Sequence, residues 1–73
     1  MRLSHWLEAN HITVAEFTRR IGGVSHEAVR LWATGKRMPD TRNCIRIEEL
    51  TDGAVTIHDL HQAHTENHSE GAA

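Results

Sequence analysis

The chain has 73 residues and a formal net charge of −2, which leaves room for a single domain. Its one cysteine cannot form an internal disulfide, and a domain of this length buries only about 60% of its unfolded surface. No apolar run approaches the roughly 20 residues that span a bilayer, and no cleavable leader opens the sequence. We therefore expect a small cytoplasmic domain with no membrane association, no cofactor and no small-molecule ligand.

The charge is unevenly distributed along the chain. Residues 1–46 contain all eight basic residues and four acidic ones, a net charge of +4, whereas residues 47–73 contain six acidic residues and no basic one. The average therefore hides a basic segment followed by an acidic segment. The positive charge of residues 1–46 is compatible with a nucleic-acid partner, whereas the negative charge of the whole chain argues against one.

Capping residues and apolar spacing predict five short helices. The first runs from about Ser4, its candidate N-cap, to Asn10. The second follows Thr13, which forms a capping box with Glu16 and precedes an apolar face made of Val14, Phe17 and Ile21. The pair Gly22-Gly23 ends this helix, because glycine adopts positive φ without steric cost.

The third and fourth helices are predicted in the same way. Ser25 caps the third helix, which extends to about Thr34. Its inner face is predicted to hold Ala28, Val29 and Trp32. Gly35 ends this helix, and a loop over residues 36–39 leads to the fourth helix. Asp40 or Thr41 caps the fourth helix, whose inner face is predicted to hold Cys44, Ile47 and Leu50.

The end of the chain is predicted to be a short fifth helix and a tail. Thr56 is the candidate N-cap of this helix. From His64 onward the sequence holds no large apolar residue, so we expect a disordered acidic tail. The predicted organisation is one domain over residues 1–63 and a tail over residues 64–73.

Two short helices joined by a glycine turn are the arrangement of a helix-turn-helix. Residues 13–39 read TVAEFTRRIGGVSHEAVRLWATGKRMP and resemble the Cro/cI-like (XRE-type) regulators of phages and prophages. Residues 46–60, RIEELTDGAVTIHDL, are similar to the end of small Cro-type regulators. The resemblance implies an all-α, compact five-helix domain with the lambda repressor-like fold. It also implies a homodimer that binds a palindromic operator in double-stranded DNA.

Three positions depart from that family's pattern. Val14 stands where many relatives have a glutamine that binds phosphate, and Thr18 stands where a small alanine is usual. The turn Gly22-Gly23 is one residue longer than the usual turn with a single glycine.

The resemblance places the first half of the third helix against DNA, and side-chain chemistry suggests roles for its residues. The predicted base-reading residues are His26, Glu27, Arg30 and Leu31. Arginine binds guanine O6 and N7 with two hydrogen bonds, and glutamate accepts from cytosine N4. The predicted phosphate contacts are Thr13, Ser25, Lys36 and Arg37. Two alternatives stay open, since Glu27 and Arg30 can pair with each other and Leu31 can be partly buried.

A dimer surface is predicted on the last two helices. It comprises Ile45, Val55, Ile57 and Leu60, which supply more apolar area than one small domain can use.

Metal binding and catalysis are not indicated. Four histidines have helical spacing but no cysteine or closed zinc signature accompanies them: His58, His61, His64 and His68. No phosphate-binding glycine loop or nucleophile motif occurs, so we predict neither a metal site nor an enzyme.

The sequence thus predicts a sequence-specific DNA-binding regulator, a repressor of phage or mobile-element type. Two alternatives remain. One is the DNA-binding antitoxin of a toxin–antitoxin pair, whose acidic tail folds on the toxin. The other is a protein-interaction module that has lost DNA binding.

Overall fold

The computed structural model describes the backbone of residues 1–72 and the side chains of residues 1–67. Within this part the chain forms helices and no strand: α1 (Leu3–Ala9), α2 (Val14–Ile21), α3 (His26–Thr34), α4 (Thr41–Leu50) and α5 (Ile57–Ala72). The predicted all-α, five-helix architecture is confirmed. None of these helices combines the length and the apolar character that crossing a membrane requires.

Side-chain caps determine where the central helices begin. Thr13, Ser25 and Asp40 each accept a hydrogen bond from the amide three residues later, at 3.0 to 3.1 Å. These bonds satisfy amides that a helix start leaves without a partner. Asp40, not Thr41, is therefore the cap of α4. The prediction for Ser4 is wrong, since α1 begins at Leu3 and its N-cap, Arg2, makes no side-chain cap bond.

One apolar core joins side chains from every helix. Its buried members are Leu3, Leu7, Phe17, Ile21, Val29, Trp32, Cys44, Ile47, Val55 and Leu60. The predicted inward faces of α2 and α3 are thereby confirmed, with Val14 and Ala28 packed at the edge of the core. Leu50 was predicted to face inward but is 38% exposed, because it ends α4 at the surface.

The connection between α2 and α3 depends on glycine and on a residue from α4. Gly22 and Gly23 have φ of 69° and 72°, which confirms the predicted break. The Arg46 guanidinium donates to the carbonyl of Ile21 at the end of α2. A cation at a helix C-terminus is favourable, so Arg46 fixes the end of α2 against α4.

The fifth helix is longer than predicted. Thr56 caps it as expected, accepting from the Asp59 amide at 3.2 Å. The helix then continues past the predicted boundary, and His64 Nδ1 lies 3.1 Å from the carbonyl oxygen of Gly35. Arg2 pairs with Glu66. His64 and Glu66 therefore belong to the folded domain, because they find partners that are distant in sequence. The rest of the predicted tail, 68–73, lies outside the described side chains.

Candidate nucleic-acid interface

The third helix has one buried face and one exposed face. Val29 and Trp32 lie in the core, and α3 packs against α1, α2 and α5. His26, Glu27 and Arg30 are exposed on the other side. A helix held in this way presents its polar side chains on a rigid support.

Leu31 lies between the two faces of α3. It is half-buried, so part of its side chain contributes to packing and part stays accessible. Its predicted role as a base-reading residue, through apolar contact with a thymine methyl group, stays a prediction.

The predicted phosphate-binding hydroxyls lie at the starts of α2 and α3. Thr13 and Ser25 are exposed, and each hydroxyl accepts a helix amide. A hydroxyl has one donor and two acceptor positions, so accepting this bond uses no donor. Each O–H is therefore chemically able to donate to a phosphate oxygen beside the positive end of a helix dipole.

The basic loop after α3 is tied to the helix through its backbone. Gly35 adopts the left-handed conformation with φ of 81°. The amides of Lys36 and Arg37 then both donate to the Leu31 carbonyl, at 3.0 and 3.3 Å. These bonds keep two exposed cationic residues next to the last turn of α3.

Glu27 and Arg30 form an ion pair on the exposed face of α3. Arg30 Nε donates to Glu27 Oε2 at 3.2 Å, and Arg30 Nη2 donates to Oε1. These hydrogen bonds lower the pKa of Glu27 from its ordinary value of 4.5 and raise the pKa of Arg30. Both groups are therefore charged at neutral pH. The pairing that the sequence left open as an alternative is the arrangement in the structure.

The predicted dimer surface divides into two pairs of residues. Ile45 and Ile57 are each 52% exposed, which leaves them accessible to a partner. Val55 and Leu60 are 0% and 3% exposed and belong to the core, so their assignment to the dimer surface is wrong. The Thr51 hydroxyl explains part of this, because it accepts the Val55 amide at 3.1 Å and folds the α4–α5 connection inward.

From the sequence, Arg46 was assigned no role and Leu50 was placed on the inner face of α4. Both line a cavity of about 340 Å³ between α2 and α4, together with Arg20, Ile21 and Glu49. No local signal identifies Arg46, since its acceptor, the Ile21 carbonyl, is 25 residues away.

Within the described side chains, no three His, Cys, Asp or Glu residues are placed to hold a metal ion. His58 and His61 are exposed, and His64 contacts the end of α3. Cys44 is buried, and this burial raises the pKa of its thiol. A thiol with a raised pKa is a poor nucleophile at neutral pH.

No protein-family model, characterised protein or solved structure gives a significant match to this chain. The function is therefore inferred from the geometry and chemistry of the chain's own residues.

Proposed function

We propose that the protein is a sequence-specific DNA-binding repressor that reads its operator with α3. The observation that carries the proposal is the exposed polar face of α3, with His26, Glu27 and Arg30, backed by a buried apolar face. The preceding α2 and the Gly22-Gly23 turn complete the order of elements in a helix-turn-helix.

The major groove of DNA accommodates one α-helix, and each base pair presents a distinct pattern of donors and acceptors there. With α3 in the groove, His26 and Arg30 offer donors to base acceptors. Ser25 and Thr13 lie at the starts of α3 and α2, where amides and hydroxyls suit phosphate. Lys36 and Arg37 add cationic contacts to the backbone, which make affinity depend on salt.

The proposal includes a homodimer, in which two copies of α3 enter successive major grooves about 34 Å apart. Ile45 and Ile57 are the exposed apolar residues of α4 and α5 assigned to its surface. Repression follows when the dimer occludes a promoter in the cytoplasm, including the promoter of its own gene.

The test begins with selection of bound sequences from random duplex DNA, which reports palindromy and half-site spacing together. Gel shifts on the selected operator then compare Arg30→Ala with Arg19→Ala, which removes the same charge from α2. Loss of a bidentate guanine contact costs about 1–3 kcal/mol, so we expect Arg30→Ala to weaken operator binding by about 5-fold or more. Arg19→Ala keeps the base preference.

Two results contradict the proposal. One is the absence of binding to any duplex at low salt, and the other is an unchanged base preference in Arg30→Ala.

One observation favours a second candidate, a protein-interaction module that has lost DNA binding. The carboxylate of Glu27 neutralises Arg30 on the exposed face of α3, in a chain whose net charge is −2. A salt titration separates the candidates, because a DNA-binding protein shows a log–log slope of several counterions.

A further inference from the structure

We propose that Glu27 does not read a base itself but is a positioning residue that holds Arg30 in the orientation that reads guanine. This inference rests on the DNA-binding function proposed above. From the sequence, Glu27 and Arg30 are predicted as two separate base-reading residues. Here the two side chains act together, and only Arg30 contacts a base.

The geometry of the pair determines which N–H donors of Arg30 remain for a base. Glu27 occupies one edge of the guanidinium, the edge formed by Nε and Nη2. A guanidinium carries five N–H donors in a fixed planar fork. The edge formed by Nη1 and the second hydrogen of Nη2 is not used by this pair. Two parallel donors on one edge match the O6 and N7 acceptors of guanine.

The backbone supports the same geometry. Ser25 caps α3 through the amide of Ala28, which lies between Glu27 and Arg30 in the chain. The first turn of α3 is therefore ordered, and residues three apart lie one above the other on its surface. An arginine side chain loses rotamer freedom when it binds, and the pair with Glu27 removes part of that freedom before DNA arrives.

The carboxylate has a second, opposing effect. DNA phosphates repel Glu27, so this residue lowers affinity for every duplex while it improves discrimination at one base pair. Removing the carboxylate therefore changes affinity and discrimination in opposite directions. A residue that only stabilises the fold does not produce this pattern.

The experiment measures binding to two duplexes, the selected operator and the same operator with the guanine pair read by Arg30 replaced. The variants are Glu27→Gln, Arg30→Ala and the double variant. An amide accepts only one of the two bonds and presents a donor to the other. We expect Glu27→Gln to bind non-specific duplex about 2-fold or more tightly and to lose guanine preference by about 2- to 10-fold. In the Arg30→Ala background, Glu27→Gln leaves the base preference unchanged.

Glu48→Gln is the matched control, because it removes the same charge from an exposed position on α4. It is expected to keep the guanine preference, and thermal unfolding of every variant verifies that the fold persists.

Failure of the inference is distinguishable from failure of the proposed function. If Arg30→Ala loses the guanine preference and Glu27→Gln retains it, the inference is wrong and the function stands. The inference is also wrong if Glu27→Gln alters base preference equally without Arg30, since Glu27 then reads a base directly. If Arg30→Ala retains the preference, the proposed function itself fails.

Discussion

Asp59 joins the first helical turn of α5 to the beginning of the chain. Its Oδ2 accepts hydrogen bonds from the Thr56 amide at 3.0 Å and from the Met1 ammonium at 2.7 Å. Thr56 Oγ1 in turn accepts the Asp59 amide. The two side chains thus cap the helix reciprocally, and the ammonium adds an opposite charge. The hydrogen bond from the Met1 ammonium, followed by those from Thr56, lowers the pKa of Asp59 below 3.8.

The lowered pKa predicts how stability depends on pH. A carboxyl group with a lowered folded pKa binds fewer protons when folded than when unfolded. Its contribution is therefore complete above its ordinary value of 3.8 and is lost as pH falls through the folded pKa. We expect Asp59→Asn to lower the free energy of unfolding by about 0.3–1 kcal/mol near neutral pH, because it removes the negative charge beside the Met1 ammonium and at the start of α5. The difference from the unmodified protein shrinks as pH falls below 3.8.

Urea unfolding followed by helical circular dichroism checks this expectation at a series of pH values. Asp52→Asn is the control, because Asp52 is exposed and asparagine tolerates its φ of 55°. A constant difference across the acid range contradicts the assignment to Asp59.

The central caps could be predicted from single residues, whereas the burial of the residues that follow α4 could not. Ser25 and Thr13 act on amides three residues away, so a local pattern suffices. Val55 and Ile57 are both apolar and close in sequence, yet one is buried and the other is 52% exposed. Which of them faces the core depends on how the connection after α4 folds, and no local pattern encodes that.

The end of α3 lies against the backbone of α5. A Cβ atom added to Gly35 would lie 2.5 Å from the carbonyl oxygen of Ala63. Backbone cannot move away as a flexible side chain can, so α5 would have to shift. Glycine is needed at this position both for its left-handed φ and for the space it leaves.

Gly53 and Gly35 have similar φ but different surroundings. Comparing them separates the cost of the left-handed conformation from the cost of the contact with α5. Gly53 has φ of +83° with nothing near its missing Cβ, whereas Gly35 has φ of +81° and the contact with α5. We expect Gly53→Ala to cost about 1–2 kcal/mol of unfolding free energy, the penalty of the left-handed conformation alone. Gly35→Ala is expected to cost more, because it also displaces α5. Thermal unfolding of both variants measures the difference, and equal losses would show that the contact with Ala63 contributes nothing.

Helices α2 and α3 could be predicted nearly to the residue, since each has a hydroxyl cap at its start and a glycine after its end. The extent of α5 could not. Residues 64–67 contain no large apolar side chain, so local hydropathy indicates a tail. They remain helical beside α3 because His64 and Glu66 find partners at Gly35 and Arg2.

At the scale of the whole molecule, the two oppositely charged parts of the sequence contact each other. Arg2 pairs with Glu66, and the Met1 ammonium pairs with Asp59. Some of the acidic charge of residues 47–73 is thereby offset by groups at the chain's beginning. The basic residues of α3 and its following loop, Arg30, Lys36 and Arg37, do not take part in these two pairs.

The proposed dimer predicts that a charge on the exposed apolar surface of α5 weakens self-association. Ile57→Lys places a charge on an exposed apolar position of α5, and Gln62→Lys places the same charge on an exposed polar position of that helix. We expect Ile57→Lys to weaken self-association by on the order of 10-fold, since it removes apolar burial and introduces a desolvation cost. Gln62→Lys leaves self-association unchanged. Sedimentation equilibrium measures both, and equal association constants would exclude Ile57 from the interface.

Local sequence patterns were sufficient to predict the helical class, the central caps, the glycine turn and the inward faces of α2 and α3. These features arise from contacts between residues three or four apart, which a local pattern encodes. Three features depend on the tertiary structure: the burial of Val55 and Leu60, the extension of α5 along α3, and the contact of Arg46 with the end of α2. Each of these depends on groups brought together from distant parts of the chain, and packing rather than local preference selects them.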